Sequence, residues 1–328
     1  MSRGTGGAAH GRAVRLGFEY DISMNIQKED SIPLGLTELR VSPTGAGTNS
    51  WGAHGGADPG KLPAFNALMN AGISLFDTAE IYTRGASERT IGHCIRAGDR
   101  TPVVLTKFFP LPWRWRKQDL RGALHASLER LGLSRVDVYL LHFPWPPVAL
   151  ESWADALAEA VHAGLARAVG ISNCNAEQTR RAHAALAARG VSLACNEVEL
   201  SLLKRGALSS GLLSLCRELG VTVIAYRPLA MGMLTGKYSV KNPPKGARAA
   251  LFSRRYLARI QPLLSSLARI GENRGAKTPS QVAINWVMCK GSIPIPGVKD
   301  LGQALQNAGA LGWRLSEEEV SELEAAAP

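Results

Sequence analysis

Cysteine is sparse and unpaired in its spacing. Five occur in 328 residues, at 94, 174, 195, 216 and 289, and no two form a CxxC pair. An odd count without that spacing excludes a disulfide framework and a zinc knuckle, and it fits inert thiols in a reducing compartment. Long apolar runs are missing too. No stretch reaches the roughly 18 consecutive apolar residues of a membrane span, so none is expected. Acidic residues are in deficit, 27 against 38 basic, for a formal net charge of +11. Such an excess suits a polyanion, a membrane surface or a phosphorylated small molecule. The basic residues are scattered without a Lys/Arg run, which argues against nucleic acid as the partner.

A phosphate loop is also absent. Gly45-Ala46-Gly47-Thr48-Asn49-Ser50 opens like a dinucleotide fingerprint. It has Ser50 where glycine or alanine is needed, and Trp51 and Gly52 follow rather than a helix. The spacing from Gly55 to Gly60-Lys61 suits a Walker motif, but Leu62 stands where Ser or Thr would hold magnesium. Both segments read as turns, which counts against an open, doubly wound nucleotide-binding sheet.

What is present is alternation. Eight apolar runs read as strands: 43–48, 73–76, 103–106, 136–141, 168–171, 193–198, 221–225 and 292–295. Eight amphipathic segments read as helices: 62–71, 87–97, 117–131, 150–163, 176–188, 209–219, 279–288 and 301–308. In 117–131 the leucines at 120, 124, 128 and 131 line one helical face. Gly164, Gly190 and Gly220 sit just past helices, where a left-handed cap is expected. Eight β–α units without a linker predict a closed (β/α)8 TIM barrel. Three additions fall outside the repeat. A hairpin at 36–39 and 41–42 would close the barrel's bottom. A long insertion at 228–277 would carry its own helix near 256–272. A final helix at 315–327 would start on a capping box of Ser316 and Glu319. Residues 1–33 form a tail, and residues 34–328 the barrel domain. The first 18 residues hold Arg3, Arg12 and Arg15 and no acid. They read either as an organellar transit peptide, which would place the protein in the chloroplast, or as a plain Gly/Ala/Arg-rich tail on a cytoplasmic protein.

Barrels of this kind gather function at the C-terminal ends of their strands. Asp77, Lys107 and His142 fall at three successive strand ends, and Tyr82 lies in the loop after the first of these. Reducing a carbonyl needs hydride at carbon and a proton at oxygen. Tyr82 can donate that proton if its pKa, about 10 unperturbed, is lowered by the Lys107 ammonium. Asp77 can hold Lys107 charged, and His142 can orient the substrate oxygen. No metal is required.

At these positions the sequence resembles the aldo-keto reductase superfamily. Phe76-Asp77-Thr78-Ala79-Glu80-Ile81-Tyr82, with Gly85 and Ser87-Glu88, is similar to one signature; Thr106-Lys107-Phe108 and Leu140-Leu141-His142 are similar to two others. The resemblance covers residues 34–325. It implies a catalytic tetrad of Asp77, Tyr82, Lys107 and His142 that reduces an aldehyde or ketone with NADPH. It also implies a cofactor site. Gly47 and Thr48 would belong to it. Ser172, Asn173 and Glu197 would meet the nicotinamide carboxamide, Glu197 standing where the family carries glutamine. Tyr226 would stack on the ring, and Arg227, in place of serine, would reach the pyrophosphate. Leu229, Gly232, Leu234 and Lys237 would cover the cofactor. Pro296, Gly297, Lys299, Gln303 and Asn307 would hold the adenosine phosphate, with Lys299 favouring NADPH. Trp51, Trp113, Trp115 and Trp145 lie in loops near the active rim and are candidates for a substrate pocket. Likeness is greatest to plastid-type members, and plant pyridoxal reductase lies in the same neighbourhood. The alternative within the superfamily is a cofactor-binding regulatory subunit with little turnover, like the channel β-subunits.

Overall fold

A computed structural model describes residues 31–328 except His54. The N-terminal 30 residues, and with them the candidate transit peptide, lie outside the described residues. Eight parallel strands follow in chain order and pair in that order: β3 (Gly45–Gly47), β4 (Leu75–Asp77), β5 (Val103–Phe108), β6 (Val136–Leu141), β7 (Ala166–Ser172), β8 (Leu193–Glu199), β9 (Thr222–Tyr226) and β10 (Ile293–Ile295). They are preceded by a short antiparallel pair, β1 (Ile32–Pro33) and β2 (Arg40–Val41). The circle closes between β3 and the end of β10. Gly47 N–H donates to Pro296 O at 3.0 Å and Val298 N–H to Gly47 O at 3.2 Å. The fold is therefore the expected (β/α)8 barrel.

Period-two alternation divides the strand residues between two cores. Leu75, Leu105, Val138, Leu140, Cys195, Ile224 and Ile293 point inward and pack with Leu34, Leu39 and Val41. Phe76, Val104, Phe108, Tyr139, Leu141, Val169 and Val223 point outward into the layer under the helices. That layer comprises α1 (Leu62–Asn70), α2 (Ala86–Ala97), α3 (Lys117–Leu131), α4 (Leu150–His162), α5 (Ala176–Ala187), a split element, α10 (Pro279–Cys289) and α11 (Leu301–Ala308). The split element is a correction. The helix expected at 209–219 starts only at Leu212, as α7 (Leu212–Glu218), because Gly211 at φ +74° breaks the helical path between it and a preceding short piece, α6 (Gly206–Ser209). The insertion carries α8 (Ala247–Leu251) and α9 (Arg254–Asn273), and α12 (Glu317–Ala326) starts on the expected Ser316–Glu319 box.

The hairpin is also displaced from its expected position: its strands pair Ile32 with Val41 and Pro33 with Arg40, so 34–39 is the turn. The cause is at Gly35. Its φ of +61° turns the chain, and a Cβ there would stand 2.5 Å from Ala194 O. Its N–H donates to Thr222 Oγ1 at 2.7 Å. The turn is pinned against β8 and β9, and the hairpin stoppers the barrel from below. Residues 32 and 33, assigned to the tail from sequence, already belong to the fold.

The inner core is filled close to its limit at Gly170 of β7. A Cβ there would lie 2.3 Å from Leu140 Cδ2 and 2.8 Å from Cys195 O. Gly170→Ala is expected to destabilise the protein by about 1–3 kcal/mol through overpacking, with an unchanged denaturant m-value. Full stability in urea unfolding would show that the inner core has room to spare.

Candidate active site

One residue further up the same inward column, the barrel turns polar. Leu75 is followed two residues on by Asp77, Leu105 by Lys107, Leu140 by His142, Gly170 by Ser172, Cys195 by Glu197 and Ile224 by Tyr226. All of these side chains except Lys107, which lies buried beneath, line a cavity of about 820 Å³ at the C-terminal ends of the strands. That volume lies at the upper end of ligand sites.

Lys107 is at the centre, fully buried. Its ammonium pairs directly with Asp77 Oδ1 and donates to Thr78 O at 3.0 Å. Tyr82 Oη lies 3.3 Å from the same nitrogen, and so does Glu197 Oε2. Tyr82 and His142 meet edge to face with ring centroids 5.8 Å apart. All four residues of the expected tetrad thus converge. Tyr82 is carried by a 3-10 turn (Tyr82–Gly85) in which Thr83 and Arg84 both have positive φ, so the chain is bent sharply to present the phenol.

Electrostatics departs from expectation in one respect. Lys107 pulls the Tyr82 pKa down, but burial outweighs it, and the phenol is held above its ordinary value. Tyr82 therefore keeps its proton across the neutral range. Burial and then the charge of Lys107 push His142 down to about 3, so the imidazole is neutral. Burial lowers the Lys107 pKa, but the two carboxylates outweigh it and the ammonium stays charged. Burial and then the negative charge of Asp77 raise Glu197 to about 8. Burial raises Asp77 too, while Lys107 and a hydrogen bond with Glu197, which only a protonated Glu197 can donate, draw it back.

Beside the tetrad lies a second polar network. Asn173, in a left-handed conformation with φ +59°, donates to His142 O at 3.0 Å and accepts from the Tyr226 hydroxyl at 2.9 Å. Ser172 Oγ donates to Glu197 O at 2.9 Å. The loop after β9 wraps the cavity with Arg227, Leu229, Gly232 and Lys237 on its lining, and Arg227 pairs with Glu199 at 3.5 Å. Across it stand Gly47, Pro296, Gly297, Lys299, Gln303 and Asn307. Gln303 Oε1 accepts from Lys299 N–H at 3.0 Å, holding that loop.

Several sequence-selected residues lie elsewhere. Thr48 is buried, and its hydroxyl donates to Asp77 O at 2.7 Å, tying β3 to β4. Leu234 is buried in the outer core. Trp51 is fully buried, donates to Val298 O at 2.6 Å and packs edge-on against Phe76. None of the three lines the cavity, because each faces the helix layer. Trp113 and Trp115 are 72% and 63% exposed on the loop after β5, outside the lining. Trp145 stacks on Phe143, with centroids 4.4 Å apart, and Phe143 stacks on His142 at 5.0 Å. Sequence reasoning did not select Phe143, Asn49, Ser50, Thr235, Ser280 or Gln306, all of which line the cavity. Asn49, Ser50 and Phe143 lie on loops and Thr235 ends a 3-10 turn, where no period marks direction. Ser280 and Gln306 lie on α10 and α11, and Ser280 follows a Thr278-Pro279 helix start that marks an N-terminus.

Removing the central cation would leave Asp77 and Glu197 buried without a counter-charge. Lys107→Met is expected to destabilise the fold by about 3–5 kcal/mol at neutral pH. Both carboxyl pKa values, already raised by burial, would rise further above their unfolded values without Lys107 to draw them down. The deficit should therefore shrink as pH falls toward about 4, where the carboxyls are protonated, and grow as pH rises. A deficit independent of pH in thermal unfolding would show that lost packing, not unpaired charge, is responsible.

The profile of the aldo/keto reductase family matches residues 43–328. A chloroplastic pyridoxal reductase of Arabidopsis thaliana is 41% identical over 309 residues, 88% of this chain and 84% of that protein. An aldo-keto reductase of Strobilurus tenacellus is 35% identical over 279 residues, 81% of this chain and 80% of that protein. Among solved structures, an aldo/keto reductase of Klebsiella pneumoniae in complex with NADP and acetate superposes with a TM-score of 0.73 at 28% identity, covering 91% of this chain and 95% of that one. The chain belongs to the aldo/keto reductase family.

Proposed function

We propose that this protein reduces aldehydes or ketones to alcohols with NADPH, and that Tyr82 is the proton donor. The observation that carries the reading is the Tyr82 hydroxyl 3.3 Å from a Lys107 ammonium that is locked to Asp77, beside a neutral His142. The cavity suits a dinucleotide. It is large, and it is bordered by the cationic side chains of Arg227, Lys237 and Lys299. A Cβ on Gly297 would meet no atom within 4 Å, so this wall leaves open space for a ligand. The solved Klebsiella pneumoniae relative contains NADP. Tyr226 and Asn173 would seat the nicotinamide, and Lys299 the 2′-phosphate.

NADPH, when bound, supplies the hydride. The chain's residues govern the proton. A protonated phenol is the correct resting form for an acid, and its high pKa keeps it from ionising before the substrate needs the proton. As negative charge grows on the substrate oxygen, Tyr82 O–H transfers its proton there. Lys107, already fixed by Asp77, steadies the phenolate that remains. Neutral His142 can donate a hydrogen bond to the same oxygen. The complete acid–base set supports turnover rather than a purely regulatory role.

His142 and Phe143 line the cavity and stack on each other. Trp145 stacks behind Phe143, and Phe109 stands edge-on at 5.3 Å from both His142 and Trp145, outside the lining, and this aromatic side supports a planar carbonyl substrate. Pyridoxal and other aromatic aldehydes fit that wall, and the Arabidopsis thaliana relative is a pyridoxal reductase. Its chloroplastic location, together with the Arg-containing tail, supports a plastid for this chain too.

Purified protein should oxidise NADPH with an aromatic aldehyde, and Tyr82→Phe should lower kcat by about 10²–10⁴-fold with little change in NADPH affinity. A Tyr82→Phe variant with full activity would remove the proton-donor assignment. Lys299→Ala should raise KM for NADPH about tenfold, equivalent to about 1.4 kcal/mol, and leave KM for NADH within about twofold. Equal effects on both cofactors would place the 2′-phosphate elsewhere.

A further inference from the structure

The inner polar layer holds one cation for two carboxyls. Asp77 takes the direct contact with Lys107. Glu197 Oε2 stands 3.3 Å from the same ammonium, yet no hydrogen bond of sound geometry reaches it. Glu197 is 2% exposed and lines the cavity. A buried carboxyl oxygen without a partner, beside a ligand cavity, is an incomplete arrangement.

The Asp77 carboxylate can complete it only by accepting a proton held on Glu197, and the other neighbours do not complete it. Lys107 on β5 is already committed to Asp77 on β4. Tyr82 faces the same ammonium with its proton in place. His142 after β6 is neutral. From β7, Ser172 directs its hydroxyl to the Glu197 carbonyl, not the carboxyl. On β8 itself, burial keeps the Cys195 thiol protonated, and Glu199 adds only negative charge, paired with Arg227. From β9, Tyr226 directs its hydroxyl to Asn173. Full ionisation would leave a net negative charge in a buried layer. That layer has two ways to balance: retain a proton on Glu197, or admit a positive charge into the cavity.

Nicotinamide presents that choice. The oxidised ring is a cationic pyridinium and the reduced ring is neutral. Resting on the cofactor reading above, we propose that Glu197 senses the redox state of the bound cofactor: it releases its proton to solvent when the oxidised ring enters, and retains it when the reduced ring does. In the first case the carboxyl O–H bond breaks, the carboxylate stays opposite the pyridinium, and no electron moves. Glu197 does not touch the reacting hydride or proton. It sets the relative hold on product and substrate forms of the cofactor. Burial and Asp77 place the ligand-free carboxyl at about 8, so the proton is present to be released at neutral pH.

The sign follows from linkage. A cationic ligand lowers the Glu197 pKa, so NADP+ binds more tightly as pH rises, until the ligand-free carboxyl is itself ionised. The test uses the full chain and both cofactors, titrated by tryptophan fluorescence and by calorimetry between about pH 6.5 and 9. The ratio Kd(NADP+)/Kd(NADPH) should fall by about tenfold as pH rises toward 8 and then level off. The 2′-phosphate is common to both ligands and cancels from the ratio. Calorimetry near pH 7 in two buffers of different ionisation heat should register release of close to one proton with NADP+ and none with NADPH. Glu197→Gln should abolish both the pH dependence and the proton release. Tight binding of both cofactors with a ratio indifferent to pH and no proton release would overturn this inference alone. A pH-dependent ratio that survives in Glu197→Gln would also overturn it. Failure of either cofactor to bind the wild-type chain would instead overturn the reading of the cavity, and this inference with it. Should Glu197→Gln misfold by circular dichroism, the wild-type proton count decides.

Discussion

A single buried ammonium organises the upper layer of this barrel. Lys107 reaches its place because β5 alternates strictly and delivers every second residue inward. A bare ammonium in that position would be untenable, since burial disfavours its charge. The position is stable because β4 supplies the Asp77 carboxylate at the adjacent strand end, with the Glu197 carboxyl of β8 3.3 Å from the same ammonium. Tyr82 then inherits a neighbour that cannot move. The geometry around Tyr82 is a by-product of charge balance, and charge balance is set by strand register.

The lower half of the barrel is what makes that register dependable. Aliphatic side chains fill the interior, and Leu34, Leu39 and Val41 of the hairpin seal it from beneath. A close-packed interior of this kind resists a slip of one residue, because such a slip would exchange the whole inward set for the outward set. Apolar layers below therefore fix where the polar layer above must lie. The same closure aligns Gly47 beside Gly297 and brings the first and last strands to one wall of the cavity.

Much of this was legible in the residues alone. The eight strands, their helices and the convergence of Asp77, Lys107 and His142 follow from hydrophobic period and from the rule that strand ends carry function. What escaped has a common cause: side-chain direction in loops has no period. Trp51 is expected at the cavity from its place in a loop near the rim and Leu234 from the family resemblance, but both point into the helix layer. Thr48 sits one residue past Gly47 and so faces the opposite way, where Asp77 O and Ser87 occupy its hydroxyl. The hairpin's frame depended on contact between Gly35 and Ala194, separated by most of the barrel in sequence. Phe143 was overlooked because its role as the middle ring of a stack is visible only when His142 and Trp145 are both in place.

The sequence reading also assigned the wrong sign to the phenol, and the reason bears on how such sites work. A lysine beside a tyrosine invites the inference of a lowered pKa, but that holds only if the ammonium's field is unopposed. Here burial penalises the phenolate most, and Asp77 and then Glu197 oppose the pull of Lys107. The resting site consequently stores the proton on Tyr82. An acid poised in this way releases its proton only when a stronger base forms within reach, and an alkoxide developing on a bound substrate is such a base. In the proposed mechanism the lysine's contribution belongs to the moment of transfer, when a phenolate beside a fixed ammonium is far better stabilised than one in an apolar pocket. Strong pairing of Lys107 in the ground state is thus compatible with the proposed acid catalysis, in which the difference between the two charge states of Tyr82, and not the ground-state pKa by itself, would accelerate the reaction.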